Sequence, residues 1–167
     1  MKRKITAKQP SGKHCFVCGV ENEGGLGASF YQTEDGQVAC VFTPSGAHQG
    51  FPGRLHGGIA SSILDEVISR ALHIDSPHIW GVTAKLELRY KKPLPLGVPL
   101  RALGRITNEN RHLFDGTGEI YTPDGEVAVT AVGKFVKMDI SQITDESLSG
   151  EEFAVHLHMD DPEEIDV

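Results

Sequence analysis

The sequence predicts an α+β domain in which one antiparallel β-sheet curls around a single long helix. Three observations carry this: two short strand-like segments, one apolar helical stretch with no polar face of ordinary width, and four further strands joined by tight turns. At 167 residues the chain is long enough for one domain with a substantial core.

The elements follow in chain order. Residues 1–13 are polar and basic and read as a flexible N-terminus. Ala28–Gln32 and Gln37–Phe42 are the first strands, and Asp35-Gly36 between them is a hairpin signal. Residues 43–55 are rich in Gly, Pro and polar side chains and read as a loop. From His56 to His73 apolar residues recur at intervals of four: Ile59, Ile63, Val67 and Ala71, beside Ala60, Leu64, Ile68 and Leu72. At 100° per residue these rows cover about 220° of the helix, so other structure must wrap most of its sides. Strands Ile79–Tyr90, Leu100–Thr107, His112–Tyr121 and Val127–Val136 complete the sheet, with Asp124-Gly125 marking another tight hairpin. Within Ala84–Tyr90, Lys85, Glu87 and Arg89 alternate with Leu86, Leu88 and Tyr90, as on a strand with one buried face.

Charge is unevenly placed. The net charge is −7, but ten of the 23 acidic residues follow Lys137, where no Lys or Arg occurs. The remaining 13 face 16 basic residues, so the body is mildly basic and suits a small anionic ligand. It carries no basic stripe interleaved with aromatics, which argues against nucleic acid. No run approaches the roughly 18 apolar residues of a membrane helix, and no apolar stretch follows Met1-Lys2-Arg3-Lys4 as in a signal peptide. A cytoplasmic protein is expected. The organisation read from this is a flexible 1–13, a domain over 14–138, and an acidic, disordered tail over 139–167, in which Phe153–Met159 has enough apolar character to dock.

The chemistry concentrates in His48–Gly58 and the helix that follows. Gly57 and Gly58 open the helix and leave its first backbone N–H groups uncovered, where the helix dipole adds positive character. Such donors polarise a carbonyl and hold the oxyanion that forms when it is attacked. Asp65 lies nine positions after His56, in a helix that should be mostly buried, and a carboxylate there needs a task. Gly57 and Asp65 are eight residues apart, about 12 Å along a helix. A general base must reach its water to about 3 Å, so one chain does not bring both groups to one carbonyl. Two antiparallel helices around a two-fold axis do, which points to a dimer with two equivalent sites. Asp65 and Glu66 lie on opposite edges of the apolar arc, each about 130° from its centre, and the helix wheel does not choose between them.

Cys15-Phe16-Val17-Cys18-Gly19, Asn22 followed by Gly25-Leu26, His48-Gln49-Gly50-Phe51-Pro52-Gly53, and His56-Gly57-Gly58 with an acid nine residues after the His together resemble the PaaI-like branch of the hotdog-fold acyl-CoA thioesterases over roughly residues 14–137. The resemblance implies a sheet wrapped around a central helix, dimers or dimers of dimers, and an acyl-CoA substrate with no separate cofactor. It implies hydrolysis of a small-to-medium aliphatic or aromatic acyl-CoA, with Asp65 rather than Glu66 as general base or nucleophile. Gly57, with Gly58, would donate to the thioester oxygen, and Thr83 on the next strand would position water. His56 would orient the loop or contact the thioester. An Asn or Gln often completes such sites before the His-Gly-Gly; here Gly50 stands at that place, with Gln49 beside it.

Blander readings stand beside these. His56-Gly57-Gly58 alone is also an ordinary helix entry. Cys15-x-x-Cys18 resembles half a zinc knuckle to which His14, His48 or Cys40 would have to add ligands, or a packed loop with small apolar cysteines. It does not open a helix after a strand, which speaks against a redox role, and no metal is expected. Tyr90, beside Arg89, Lys91 and Lys92, and Asn108 and Arg111 in the next turn are candidate contacts to CoA phosphates, although basic residues at strand ends are commonly just solvated. The rival functions are a non-catalytic acyl-CoA-binding or sensing domain, which has no need of Asp65, and a hydratase, which would open the helix with Asp-x-x-x-x-His.

Overall fold

Helix α1 (Gly57–Ser69) lies against strands β4 (Val38–Phe42), β5 (Ile79–Tyr90), β6 (Leu100–Glu109), β7 (Leu113–Tyr121) and β8 (Val127–Asp139). This computed structural model describes residues 2–145 and 152–167. Adding β1 (Lys2–Lys8), β3 (Ser29–Thr33) and β10 (Glu164–Asp166), the eight-stranded antiparallel sheet runs β10-β1-β3-β4-β6-β7-β8-β5. The helix carries the chain from β4, in the middle of the sheet, to β5 at its far edge. This arrangement, one large sheet around one central helix, is the predicted hotdog fold.

The two apolar rows of the helix are the core. Ile63, Leu64, Val67 and Ile68 are fully buried, packed with Phe30, Phe114, Phe135, Leu100 and Ile120. Burial of each such side chain contributes on the order of 2 kcal/mol. The helix comes down onto glycines. A Cβ at Gly104 would stand 2.3 Å from the Val67 carbonyl oxygen, one at Gly116 2.4 Å from Ile68, and one at Gly118 2.9 Å from Ile68. Gly104 pairs with Gly118 across β6 and β7, and Gly116 with Gly133 across β7 and β8, so the sheet is hollowed where the helix crosses it. Gly36 and Gly125 take positive φ in the two predicted hairpin turns, +72° and +86°.

The two ends of the chain depart from expectation. The segment read as a flexible N-terminus forms β1, which pairs with β3 on one side and β10 on the other. The acidic tail supplies β10, and Phe153–Ala154 (β9) pairs with Ser11–Gly12 (β2). The part of the predicted tail from 146 to 151 lies outside the described residues. The far face of the sheet explains the docking. Ile165 is buried there with Ala39, Leu103 and Tyr121, and Ile5 packs against them. Lys8 reaches Asp161 at 2.6 Å, and Tyr31 donates to the same carboxylate at 2.7 Å. Lys2 pairs with Glu164 in the open, which adds little by itself. The charges that make β1 look unstructured are usual for a strand near a sheet edge, and the chain covers them with its own acidic end. Among the described residues no helix is long and apolar enough to cross a membrane.

The glycine hollow yields a stability test. Gly104→Ala is expected to destabilise the domain by about 1–3 kcal/mol through overpacking against the Val67 carbonyl. Gly46→Ala, where nothing lies within 4 Å of the added Cβ, is expected to cost much less. Urea denaturation of both variants checks this.

Candidate active site

The helix N-terminus is set by the loop before it. Ser45 caps the short turn Gly46–His48, and buried His48 accepts the Ser45 N–H through Nδ1 at 2.9 Å. The His48 carbonyl accepts the His56 N–H at 3.0 Å, and Leu55 N–H bonds the Leu94 carbonyl at 2.9 Å. Gly50 lies so close that a Cβ there would meet His56 Cα at 3.0 Å, which is why the position has no side chain. His56 is the N-cap: its Nδ1 accepts the Gly58 N–H at 2.9 Å. An accepting Nδ1 puts the ring proton on Nε2. The Gly58 donor is therefore occupied by the cap. The Gly57 N–H has no intrahelical partner, and among the described residues no acceptor bonds it. Tyr90 Oη donates to the Gly57 carbonyl at 2.8 Å and holds the first turn from β5. This end of the helix opens on a cavity of about 420 Å³ lined by His56, Gly57, Phe51, Tyr90, Lys92 and Leu94.

Asp65 stands two turns further on. Thr83 Oγ1 donates to its Oδ1 at 2.6 Å. The pairing of β5 with β8 shifts register between Thr83 and Lys85, so a bulge sits at Ala84. In a regular strand Thr83 and Leu86 would point to opposite faces; the extra residue puts Thr83 on the helix side together with Leu86 and Leu88. Burial raises the Asp65 pKa above its ordinary 3.8, the Thr83 bond pulls against that, and the negative charge of Glu66 adds to the rise. Asp65 faces a second cavity of about 220 Å³, walled by Ser69, His73, Trp80, Gly81 and Phe153. His73 packs edge-on against Trp80 at 4.6 Å, and burial, with Arg70 adding, lowers its pKa to about 4, which keeps it neutral.

The structure separates the two neighbouring acids. Glu66 accepts from Arg70 Nε at 2.8 Å and Nη2 at 2.7 Å, and Arg70 is 4% exposed, so Glu66 is the counter-ion of a buried cation. Asp65 has no cationic partner among the described ion pairs and keeps one carboxylate oxygen beyond the Thr83 bond. Gly57 and Asp65 sit in different cavities of one protomer, as their spacing requires.

Other sequence candidates fall elsewhere. Gln49 turns its Oε1 to the Gly53 N–H of its own loop at 3.0 Å rather than to the helix start. Asn108 bonds Asp115 at 3.4 Å, and Arg111 is exposed in the turn between β6 and β7. Tyr90 pairs with Val129 at the start of β8, whereas Leu113 pairs with Val136 near its end, so Asn108 and Arg111 do not meet Tyr90 within one chain. His14, His48 and Cys40 do not join Cys15 and Cys18; Glu66 does, the three groups offering atoms within 4.8 Å of one another. Sequence reasoning missed Arg70, Trp80 and Phe153 as walls of the Asp65 cavity. Only an Arg four residues after Glu66 was visible, a common helix pair.

Residues 52–129 match the family model described as thioesterase superfamily. The acyl-coenzyme A thioesterase THEM4 of Rattus norvegicus is 34% identical over 122 residues, which cover 70% of this chain and 51% of that protein. The chain thus spans about half the length of the curated relatives it matches first. The crystal structure of a thioesterase superfamily protein, RHA08564, superposes with a TM-score of 0.66 at 33% identity, over 74% of this chain and 60% of that one. A Bacillus halodurans protein solved with CoA gives a TM-score of 0.59 at 25% identity, over 65% of this chain and 72% of that one.

The Asp65–Thr83 contact has a direct spectroscopic check. Thr83→Val removes the one bond that lowers the Asp65 pKa, so carboxyl-carbon NMR titration is expected to place Asp65 higher in the variant than in the wild type. An unchanged titration would mean the hydroxyl does not hold the carboxylate.

Proposed function

We propose that the chain is a member of the thioesterase superfamily and that it hydrolyses a small-to-medium acyl-CoA, aliphatic or aromatic, to the free acid and CoA at sites built from two subunits. The observation that carries this is the division of labour along α1: an unengaged Gly57 N–H at its start and, eight residues on, an Asp65 carboxylate held by Thr83 with a raised pKa. Across a two-fold axis the halves complement each other. Asp65 of one subunit takes a proton from water, and the hydroxide attacks the thioester carbon. The oxyanion accepts the Gly57 N–H of the other subunit, at the positive end of its helix. Collapse of the tetrahedral intermediate breaks the C–S bond, and the CoA thiolate recovers the proton from Asp65.

The supporting features are physical. A partly desolvated carboxylate is a stronger base than a free one, and a binding-only module has no use for it. Lys92 and Lys91 beside Tyr90 give the Gly57 cavity the charge that phosphates need, and the aromatic wall of the Asp65 cavity suits an acyl chain or ring. Strand β5 leaves its outer edge unpaired among the described residues over 12 residues, a template for a second copy. A dimer, or a dimer of dimers, is the assembly this reading requires.

The test follows loss of thioester absorbance across short, medium, long and aromatic acyl-CoAs. Asp65→Asn is expected to lower kcat by about 10²–10⁴-fold while light scattering shows the same oligomer. Wild-type rates are expected to fall on the acid side with a midpoint above 3.8. Full activity in the variant would remove Asp65 from the reaction. Tight acyl-CoA binding without turnover by the wild type would favour the sensing module.

A further inference from the structure

The geometry points to a second reactive site: we propose that Cys15 and Cys18 form an oxidisable dithiol that exchanges with low-molecular-weight disulfides and closes to an intramolecular disulfide. Hydrolysis as described above uses neither thiol, and the inference does not depend on it.

The pair is built for approach. The Gly19 N–H bonds the Cys15 carbonyl at 2.9 Å and closes a single turn, which sets the two side chains one turn apart. A Cβ at Gly19 would lie 2.2 Å from the Cys15 carbonyl oxygen, so the turn tolerates only glycine after the second cysteine. Side chains three residues apart on such a turn have Cβ atoms about 5–6 Å apart, so closing the disulfide takes a tightening of the turn to about 4 Å as well as a rotamer change. The two sulfur atoms already lie within 4.8 Å of each other.

The surroundings give the sulfurs unequal roles. Cys18 is buried, and its Sγ accepts the Gly12 N–H at 3.2 Å and Arg70 Nη2 at 3.1 Å. Cys15 is half-buried at the wall of the Asp65 cavity and accepts the Val17 N–H at 3.4 Å. A bond from the Cys18 S–H lowers the Cys15 pKa to about 7, against burial and the Glu66 charge. The same bond, with burial, keeps Cys18 protonated. An accessible thiolate beside a buried thiol is the arrangement of an attacking and a resolving cysteine.

A metal is the obvious competitor, and the cluster argues against it. Among the described residues the only third donor gathered here is Glu66, which is already neutralised by Arg70, and the guanidinium also touches Cys18. A cation placed among these three groups would stand against a buried positive charge, one ligand short of the usual closed zinc site.

The exchange balances in two steps. The Cys15 thiolate attacks one sulfur of the small disulfide, forming a mixed disulfide and releasing one thiolate. Cys18 then gives up its proton and attacks the Cys15 sulfur, forming the Cys15–Cys18 bond and releasing the second thiolate. The protein loses two electrons and two protons, and the small disulfide becomes two thiols.

The test treats the full chain with glutathione disulfide and reads peptide masses after alkylation. The wild type is expected to lose two hydrogens within the Cys15–Cys18 segment, to regain them with dithiothreitol, and to keep Cys40, which is fully buried, unmodified. Cys18→Ser is expected to stop at the mixed disulfide on Cys15, and Cys15→Ser to react more than about tenfold more slowly. Iodoacetamide alkylation of Cys15 is expected to be half-maximal near pH 7. A midpoint at or above the roughly 8.5 of a free cysteine, no disulfide in the wild type, or one equivalent of zinc retained through purification and shielding both thiols would each overturn the proposal.

Discussion

Everything in this fold depends on how closely α1 approaches the sheet. The Val67 carbonyl rests where a side chain at Gly104 would otherwise stand, and Ile68 fills the hollows over Gly116 and Gly118. With no side chains between them, helix and strands have one depth and one rotation available. That rotation drives Ile63, Leu64, Val67 and Ile68 into the core and leaves Asp65 and Glu66 at its edges. The same constraint fixes the helix start, because Tyr90 at the end of β5 reaches across to the Gly57 carbonyl.

Two adjacent carboxylates acquire different characters from this placement. Glu66 falls beside Arg70, whose guanidinium also bonds the Pro10 carbonyl and lies over the Phe30 ring at 4.2 Å. A buried arginine without its counter-ion would be costly, so Glu66 is committed to structure. Asp65 falls on the other edge, where a strand bulge delivers a neutral hydroxyl instead of a cation. Burial without a cationic partner is what raises its pKa, and that separation of environments is what favours Asp65 over Glu66 as the proposed base.

Much of this was legible in the residues. The doubled four-residue rows gave the helix and its burial, and both Asp-Gly hairpins appear where expected. The motif from His48 to Asp65 pointed to the segment that forms the helix start and carries the Asp65–Thr83 contact. What failed did so for identifiable reasons. Lys2–Lys8 opens with three consecutive basic residues and has only Ile5 and Ala7 as apolar side chains; it is a strand because β3 offers an edge and Ile165 covers the far side. Helix-wheel arithmetic cannot see that Gly58 spends its N–H on His56, nor that Gln49 folds onto its own loop. A bulge at Ala84 leaves no mark in the alternation of charged and apolar residues, although it decides which way Thr83 points. Phe153 reaches the Asp65 cavity from about 90 residues away in sequence, through pairing that no local pattern announces.

Sites that combine Gly57 of one subunit with Asp65 of another, as proposed, are tested most directly by one complementation measurement. Gly57 is the first helical residue, and His56 before it has the extended backbone, φ −65° and ψ 136°, that a following proline accepts. Gly57→Pro therefore deletes one N–H without breaking the helix, and Asp65→Asn deletes the base. Co-expressed with different tags and purified as the mixed dimer, the two inactive chains should form one intact site out of two and recover about half of the wild-type rate. No recovery in a stable mixed dimer would contradict sites shared between subunits.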